Sequence, residues 1–121
     1  MSLKSVLMIL LSVGLSAVAQ VVMKAGVGAA AVTPAAGIAT TYLALLTSPR
    51  VLLGLVCYGV SALVWLRVLA MLDVSQAYPF VALGFVLTMA LGFLWLGETP
   101  HPTRLLGAAF ILAGVWLVGL R

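Results

Sequence analysis

An all-α integral membrane protein, with four transmembrane helices and a short interfacial helix between the first and second, is predicted by three observations. Hydrophobic residues make up 65% of the 121 and charged residues 7%, far too few charges to cover a soluble domain. Apolar runs over residues 6–23, 51–72, 74–96 and 105–120 each approach the roughly 17 to 25 residues that cross a hydrocarbon core. Together they leave almost no chain for an extramembrane domain. A single domain over 1–121 is expected, with spans near 5–25, 51–72, 74–96 and 103–120 and a linker over 26–50.

The first span carries Ser12, Ser16, Gln20 and Lys24 at intervals of four. Helical side chains four apart return to nearly the same face, drifting about 40° per step, so these residues form a slowly winding polar stripe. Each unsatisfied polar group in hydrocarbon costs several kcal/mol, and the stripe must therefore face protein, water or a bound ligand. The segment also imitates a secretory signal peptide, with Lys4, an apolar stretch, and Ala17-Val18-Ala19 before Gln20. Hydrophobicity continues through Val21, Val22 and Met23 beyond that would-be cut, which favours a retained first span.

Residues 25–33 read as a small-residue linker ended by Pro34. Beyond it, Ile38, Tyr42, Leu45 and Leu46 share one helical face, with Thr40, Thr41, Ala44, Thr47 and Ser48 opposite. The stretch is too short to span, so an amphipathic helix lying in the interface is expected, closed by Pro49-Arg50.

Span two places Gly54, Tyr58, Ser61 and Trp65 on one face, at offsets of four, seven and eleven. This second stripe suits either close packing on span one or the lining of a cavity. Cys57 stands alone, which excludes an intrachain disulfide, and reads as a small apolar packing residue. Arg67 lies off the stripe near the end of its span, where its side chain can snorkel to the headgroups.

Only Asp73 separates spans two and three. Asp73 and Gln76 have capping-box spacing. Pro79 falls a turn inside the third span, removes one backbone hydrogen bond and predicts a kink. That kink either shapes the helix for packing or breaks it beside a substrate site. Gly84, Thr88 and Gly92 follow at intervals of four and let another helix approach. The span ends at Gly97-Glu98, and Pro100 and Pro102 bracket His101. No second ligand-type residue lies near His101, so no metal site is expected. In span four Gly107 and Gly114 lie seven apart; two helical turns put them on one seam suited to helix association.

The net charge of +4 comes from six basic residues dispersed at span ends. They form no patch for nucleic acid and read as headgroup anchors in a membrane lipid environment. Lys4, Arg67 and Arg121 fall on one side and Lys24, Arg50 and Arg104 on the other, three against three, so the positive-inside rule does not orient the chain. The sequence contains no phosphate-binding Gly-rich loop, metal cluster or nucleophile-base pair. Neither an enzyme nor a cofactor is expected.

From Pro49 onward the chain reads P-R-V-L-L-G-L, W-L-R-V-L-A-M-L-D-V-S-Q-A-Y-P-F-V-A-L-G-F-V-L, L-G-E and G-A-A-F-I-L-A-G-V-W-L-V-G, and the first span contains L-S-A-V-A-Q-V-V-M-K. These stretches are similar to the four-helix, EamA-like members of the drug/metabolite transporter superfamily. Within them they most resemble the subunits proposed to flip undecaprenyl-phosphate-linked aminoarabinose across the bacterial inner membrane. Ala77-Tyr78-Pro79, followed about twenty residues later by Gly97-Glu98, is the most specific part. The linker over 25–48 lies outside the resemblance. Small multidrug resistance exporters share the four-helix layout, but their proton coupling depends on a glutamate in the first span. Counting back from Met23-Lys24, that position here is Ser16, which does not titrate in the useful range.

The resemblance implies a flippase subunit for a polyprenyl-phosphate-linked sugar or similar anionic lipid, multi-pass in the bacterial inner membrane with both termini cytoplasmic. A groove between helices would shelter the head group. Its expected lining is Ser12, Ser16, Gln20, Tyr58, Ser61, Trp65 and Tyr78, with Lys24 or Arg67 attracting the phosphate at opposite surfaces. The alternatives are a small metabolite or drug exporter of the same superfamily, or a non-transporting membrane subunit of a glycosyltransferase system. Four short-looped helices resemble half of a transporter, and no internal duplication supplies the other half. A dimer is therefore expected, of identical chains or with a related chain, through the Gly107 and Gly114 seam.

Overall fold

The computed structural model describes residues 2–30 and 37–120. Those residues form only helices: α1 (Leu3–Ala29), α2 (Ile38–Thr47), α3 (Pro49–Met71), α4 (Val74–Ala77), a 3-10 turn (Tyr78–Phe80), α5 (Val81–Trp95) and α6 (Pro102–Gly119). Leu3–Ala29, Pro49–Met71, Val74–Trp95 and Pro102–Gly119 are each long and apolar enough to cross a membrane, and the shorter α2 lies between the first two. The protein is thus multi-pass and all-helical. Pro34, the rest of the linker over 31–36, and the anchor expected at Arg121 lie outside the described residues.

The first helix starts where Ser2, as N-cap, accepts a hydrogen bond from the Ser5 N–H at 3.2 Å, with the two hydroxyls 2.9 Å apart. It runs unbroken through Ala17-Val18-Ala19 and past Lys24 to Ala29. The linker expected from residue 25 is therefore helical in its first part. The physical reason is tertiary: Gly26 is buried against the start of α3, where an added Cβ would meet the Val51 nitrogen at 2.6 Å. That contact holds a turn that glycine alone would leave weak.

The two long helices α1 and α3 are antiparallel. Gly26 meets Val51, Met23 and Ala19 meet Gly54, and Ser12 meets Ser61, so positions rise on one helix as they fall on the other. Ile9, Val13, Val68 and Ala77 form the buried core, with Trp65, Leu69, Phe80 and Leu83 packed around it. Val13 also faces Gly84, at 3.2 Å from an ideal Cβ there. The order Ile9 to Ala77 and Val13 to Gly84 makes α5 parallel to α1. At the start of α5, Phe80 meets Gly119 at the end of α6, which sets α6 antiparallel to α5. One end of the bundle thus carries Lys24, Arg50, Glu98, His101 and Arg104, and the other carries Lys4, Arg67 and Asp73. In α6, among the described residues, only Ala108 is buried, so that helix lies at the edge of the bundle on α5 and the 3-10 turn.

α2 packs on α3 through a half-buried face of Thr41, Ala44, Leu45 and Ser48, leaving Ile38, Tyr42 and Leu46 exposed. Leu45 therefore lies on the protein side rather than with the outward apolar face. The capping box is not closed either. Asp73 is the N-cap of α4, but its side chain makes no cap hydrogen bond; the Gln76 and Ala77 N–H groups instead reach the Asp73 carbonyl at 3.1 and 2.9 Å. The Pro79 interruption takes the form of the 3-10 turn between α4 and α5, the tighter local geometry that short helical connectors use.

Gly54 is the tightest point of the α1–α3 contact. A Cβ there would overlap the Met23 side chain and lie 3.0 Å from the Ala19 carbonyl oxygen and the Met23 nitrogen. Backbone cannot give way as a side-chain tip can, so Gly54→Ala is expected to destabilise by about 1–3 kcal/mol. Gly14→Ala, with nothing within 4 Å, is expected to be neutral or stabilising. Thermal midpoints of the two variants in detergent check the contrast; equal midpoints would show that the helices separate there without cost.

Candidate functional site

Both α3 and α5 pack on α1 but diverge from each other, because α1 contributes buried residues to two sides: Ser12 toward Ser61, and Val13 toward Gly84. The space between α3 and α5, floored by α1, is a cavity of about 700 Å³. Ser12, Ser16 and Gln20 line its floor, Tyr58, Ser61 and Trp65 one wall, and Tyr78, Thr88 and Glu98 contribute polar groups from the other. Seven of the nine residues expected to contact substrate are thus brought together. Lys24 and Arg67 are exposed, lie outside the lining, and stand at opposite ends of the bundle.

The polar groups of this lining divide into two kinds. Ser12 donates from Oγ to the Ser61 carbonyl at 2.9 Å, and Ser61 Oγ donates to the Ser12 carbonyl at 2.8 Å. Both serines are buried. This reciprocal clasp joins α1 to α3 and commits both hydroxyl protons, a role that interhelical serines commonly fill in membranes. Both serines line the cavity, with their hydroxyl protons directed to the opposite helix's carbonyls. Thr88 Oγ1 likewise donates within its own helix, to the Gly84 carbonyl at 2.8 Å. Ser16, Gln20, Tyr58, Trp65, Tyr78 and Glu98 make no side-chain hydrogen bond to the described residues. These are the groups left to meet a ligand.

The lining residue that sequence reasoning placed elsewhere is Glu98. Gly97 adopts φ 69°, the left-handed conformation with which glycine ends helices. The chain turns back, and the N–H groups of Leu96 and Glu98 both reach the Gly92 carbonyl at 3.2 Å. The Glu98 side chain then lies over Gly92, whose missing Cβ makes the room: one built there would sit 2.5 Å from Glu98 Oε1. Gly92 therefore receives a carboxylate rather than another helix. The signal was present as a glycine six residues before Glu98 and a helix-ending glycine just before it. Reading it required the direction of the turn. Among the described residues, no group of three or more His, Cys, Asp or Glu side chains is placed to hold a metal ion.

The model of the EamA-like transporter family matches residues 3–120. A probable 4-amino-4-deoxy-L-arabinose-phosphoundecaprenol flippase subunit ArnE of Pseudomonas savastanoi pv. phaseolicola is 43% identical over 77 residues, covering 64% of this chain and 68% of that protein. A probable subunit ArnF of the same kind of flippase, from Yersinia enterocolitica, is 36% identical over 59% of this chain and 57% of its own length, less than two thirds of that protein. The uncharacterized protein y4nH of Sinorhizobium fredii is 35% identical over 73% of each chain. No solved structure gives a significant match.

Proposed function

The chain belongs to the EamA-like transporter family, and from that premise we propose that it is a flippase subunit moving a polyprenyl-phosphate-linked sugar, or a similar anionic lipid, across the bacterial inner membrane. A multi-pass membrane transporter rather than an enzyme follows from the family itself. The observation that carries the finer reading is the cavity between α3 and α5. Its volume of about 700 Å³ falls within the roughly 300–1,000 Å³ of small-molecule sites. Its polar lining lies between helices that are otherwise apolar, so a sugar can be sheltered there while a prenyl tail stays among lipid chains. The relatives named as aminoarabinose-phosphoundecaprenol flippase subunits support the substrate class. The floor of the cavity at Ser16 holds no carboxylate of the kind a drug/proton exchanger uses in its first span.

The working unit in this reading is a dimer, of two copies or with a related chain. The described residues supply a floor and two walls, and α6 contributes no residue to the lining. A second set of helices would close the open side, and Gly107 and Gly114 on α6 offer the contact. Both are exposed, and among the described residues no other part of the chain comes within 4 Å of an added Cβ. Alternating access then consists of two such bodies rocking about the shared cavity. Four crossings put the beginning of α1 and the end of α6 on one side, which we place in the cytoplasm.

Purified protein in liposomes provides the test. A polyprenyl phosphate sugar added to one leaflet should become accessible to membrane-impermeant periodate on the other side only where the protein is present. Equal accessibility in protein-free liposomes, or none with protein present, would remove the flippase reading and favour a subunit that supports another enzyme.

A further inference from the structure

Glu98 is the acidic side chain lining the cavity, and no lysine, arginine or histidine of the described residues lines it. The basic residues Lys24, Arg50 and Arg104, with His101, are instead grouped at the end of the bundle where Glu98 enters the cavity. A phosphate inside would meet a carboxylate with no cation among the described lining residues to offset it, and like charges repel. A cationic group would find there a charge-assisted acceptor. Resting on the flippase reading, we infer that Glu98 is the residue by which the cavity selects a head group bearing a primary amine. The phosphate of the same lipid stays outside, at the basic end.

The geometry serves this role in two ways. Gly97 turns the chain so that Glu98 points back along α5, and Gly92 leaves the space in which the carboxylate lies. Gln20 and Ser16 line the same cavity on α1 and offer neutral hydrogen-bonding groups to the sugar hydroxyls.

The test compares two lipids that differ in one group: a polyprenyl phosphate carrying 4-amino-4-deoxy-arabinose, and the same lipid carrying arabinose with its 4-hydroxyl. The protein is expected to flip the amine about tenfold or more faster at limiting concentration, the ratio expected of one charge-assisted hydrogen bond. Glu98→Gln, nearly isosteric, should bring the ratio of the two rates to about one, whatever it does to each rate. Glu98→Asp, which keeps the charge, should retain part of the preference. Equal rates for the two lipids with the unaltered protein, or an undiminished preference in Glu98→Gln, would overturn the inference while leaving the flippase reading intact. Binding is read independently of transport by quenching of Trp65, which lines the cavity, with short-chain prenyl phosphates carrying the two sugars. Trp95 and Trp116 are exposed and outside the lining, and both are replaced by Phe in that background. The same tenfold ratio, lost in Glu98→Gln, is expected there. Binding with that preference but no flipping would remove the flippase reading and keep the assignment of Glu98; binding without it would overturn the assignment.

Discussion

Gln20→Leu is expected to lower flipping about tenfold to a hundredfold while leaving the protein folded. The side chain is exposed in the chain itself and lines the cavity floor, so leucine removes no contact that holds α1 to α3. A head group brought there would lose a partner for one of its polar groups, and a buried polar group left unpaired costs about 1–3 kcal/mol. Ser12→Ala makes the informative contrast. That hydroxyl is committed to the Ser61 carbonyl, so its loss should act on stability, with transport per folded molecule little changed. Lys24→Ala, outside the cavity, should act mainly through capture of the phosphate and be relieved at high substrate concentration. Initial rates in the periodate assay, normalised to protein eluting at the native size, provide the measurement. Unchanged flipping by Gln20→Leu would take the α1 stripe out of the mechanism.

Gly107→Leu combined with Gly114→Leu is expected to convert a crosslinkable dimer into monomer in membranes, with flipping falling to the rate of protein-free liposomes. Neither glycine packs against another of the described helices, so the added side chains should not disturb the monomer. They would hold apart two backbones that only glycine lets approach, and without lipid-excluding pressure between apolar helices such close packing is what favours association. Leu112→Ala is the control. Leu112 lies on another face of α6, lining a groove with Phe80 and Trp116, and its truncation should leave the dimer intact. A double mutant that remains dimeric and active would place the dimer contact elsewhere.

The cavity was legible in outline because helical periodicity alone aligns residues on a face. Ser16 and Gln20 on one helix and Tyr58, Ser61 and Trp65 on another belong together in any antiparallel pairing that buries Gly54. Periodicity did not tell which members of a stripe face the cavity and which join the helices. Ser12 and Ser61 look like their neighbours in sequence, yet their hydroxyls sit 3.5 Å apart across the interface and bond to opposite carbonyls. Lys24 continues the α1 stripe by spacing, but the drift of about 40° per step has carried it out of the lining by the fourth member. The capping box failed for a related reason: spacing permits an Asp73 side-chain bond, whereas the tight connection from α3 leaves the N–H groups served by the Asp73 carbonyl.

The amino-acid sequence by itself determined that this is a four-span helical membrane protein with a short helix after the first span, since hydrocarbon thickness and the cost of unpaired backbone admit few other solutions for such apolar runs. It also determined the polar faces, the break at Pro79 and the likeness to EamA-like transporters. Only the tertiary structure decided that α3 and α5 part around α1 to leave a cavity, that the Ser12 and Ser61 hydroxyls bond across the helix contact, and that Glu98 lines that cavity. Those outcomes depend on backbone approach at Gly54, on side-chain clearance at Gly92 and on the left-handed turn at Gly97. Each is a relation between residues whose positions are fixed by packing, which the spacing of residues along a helix does not contain.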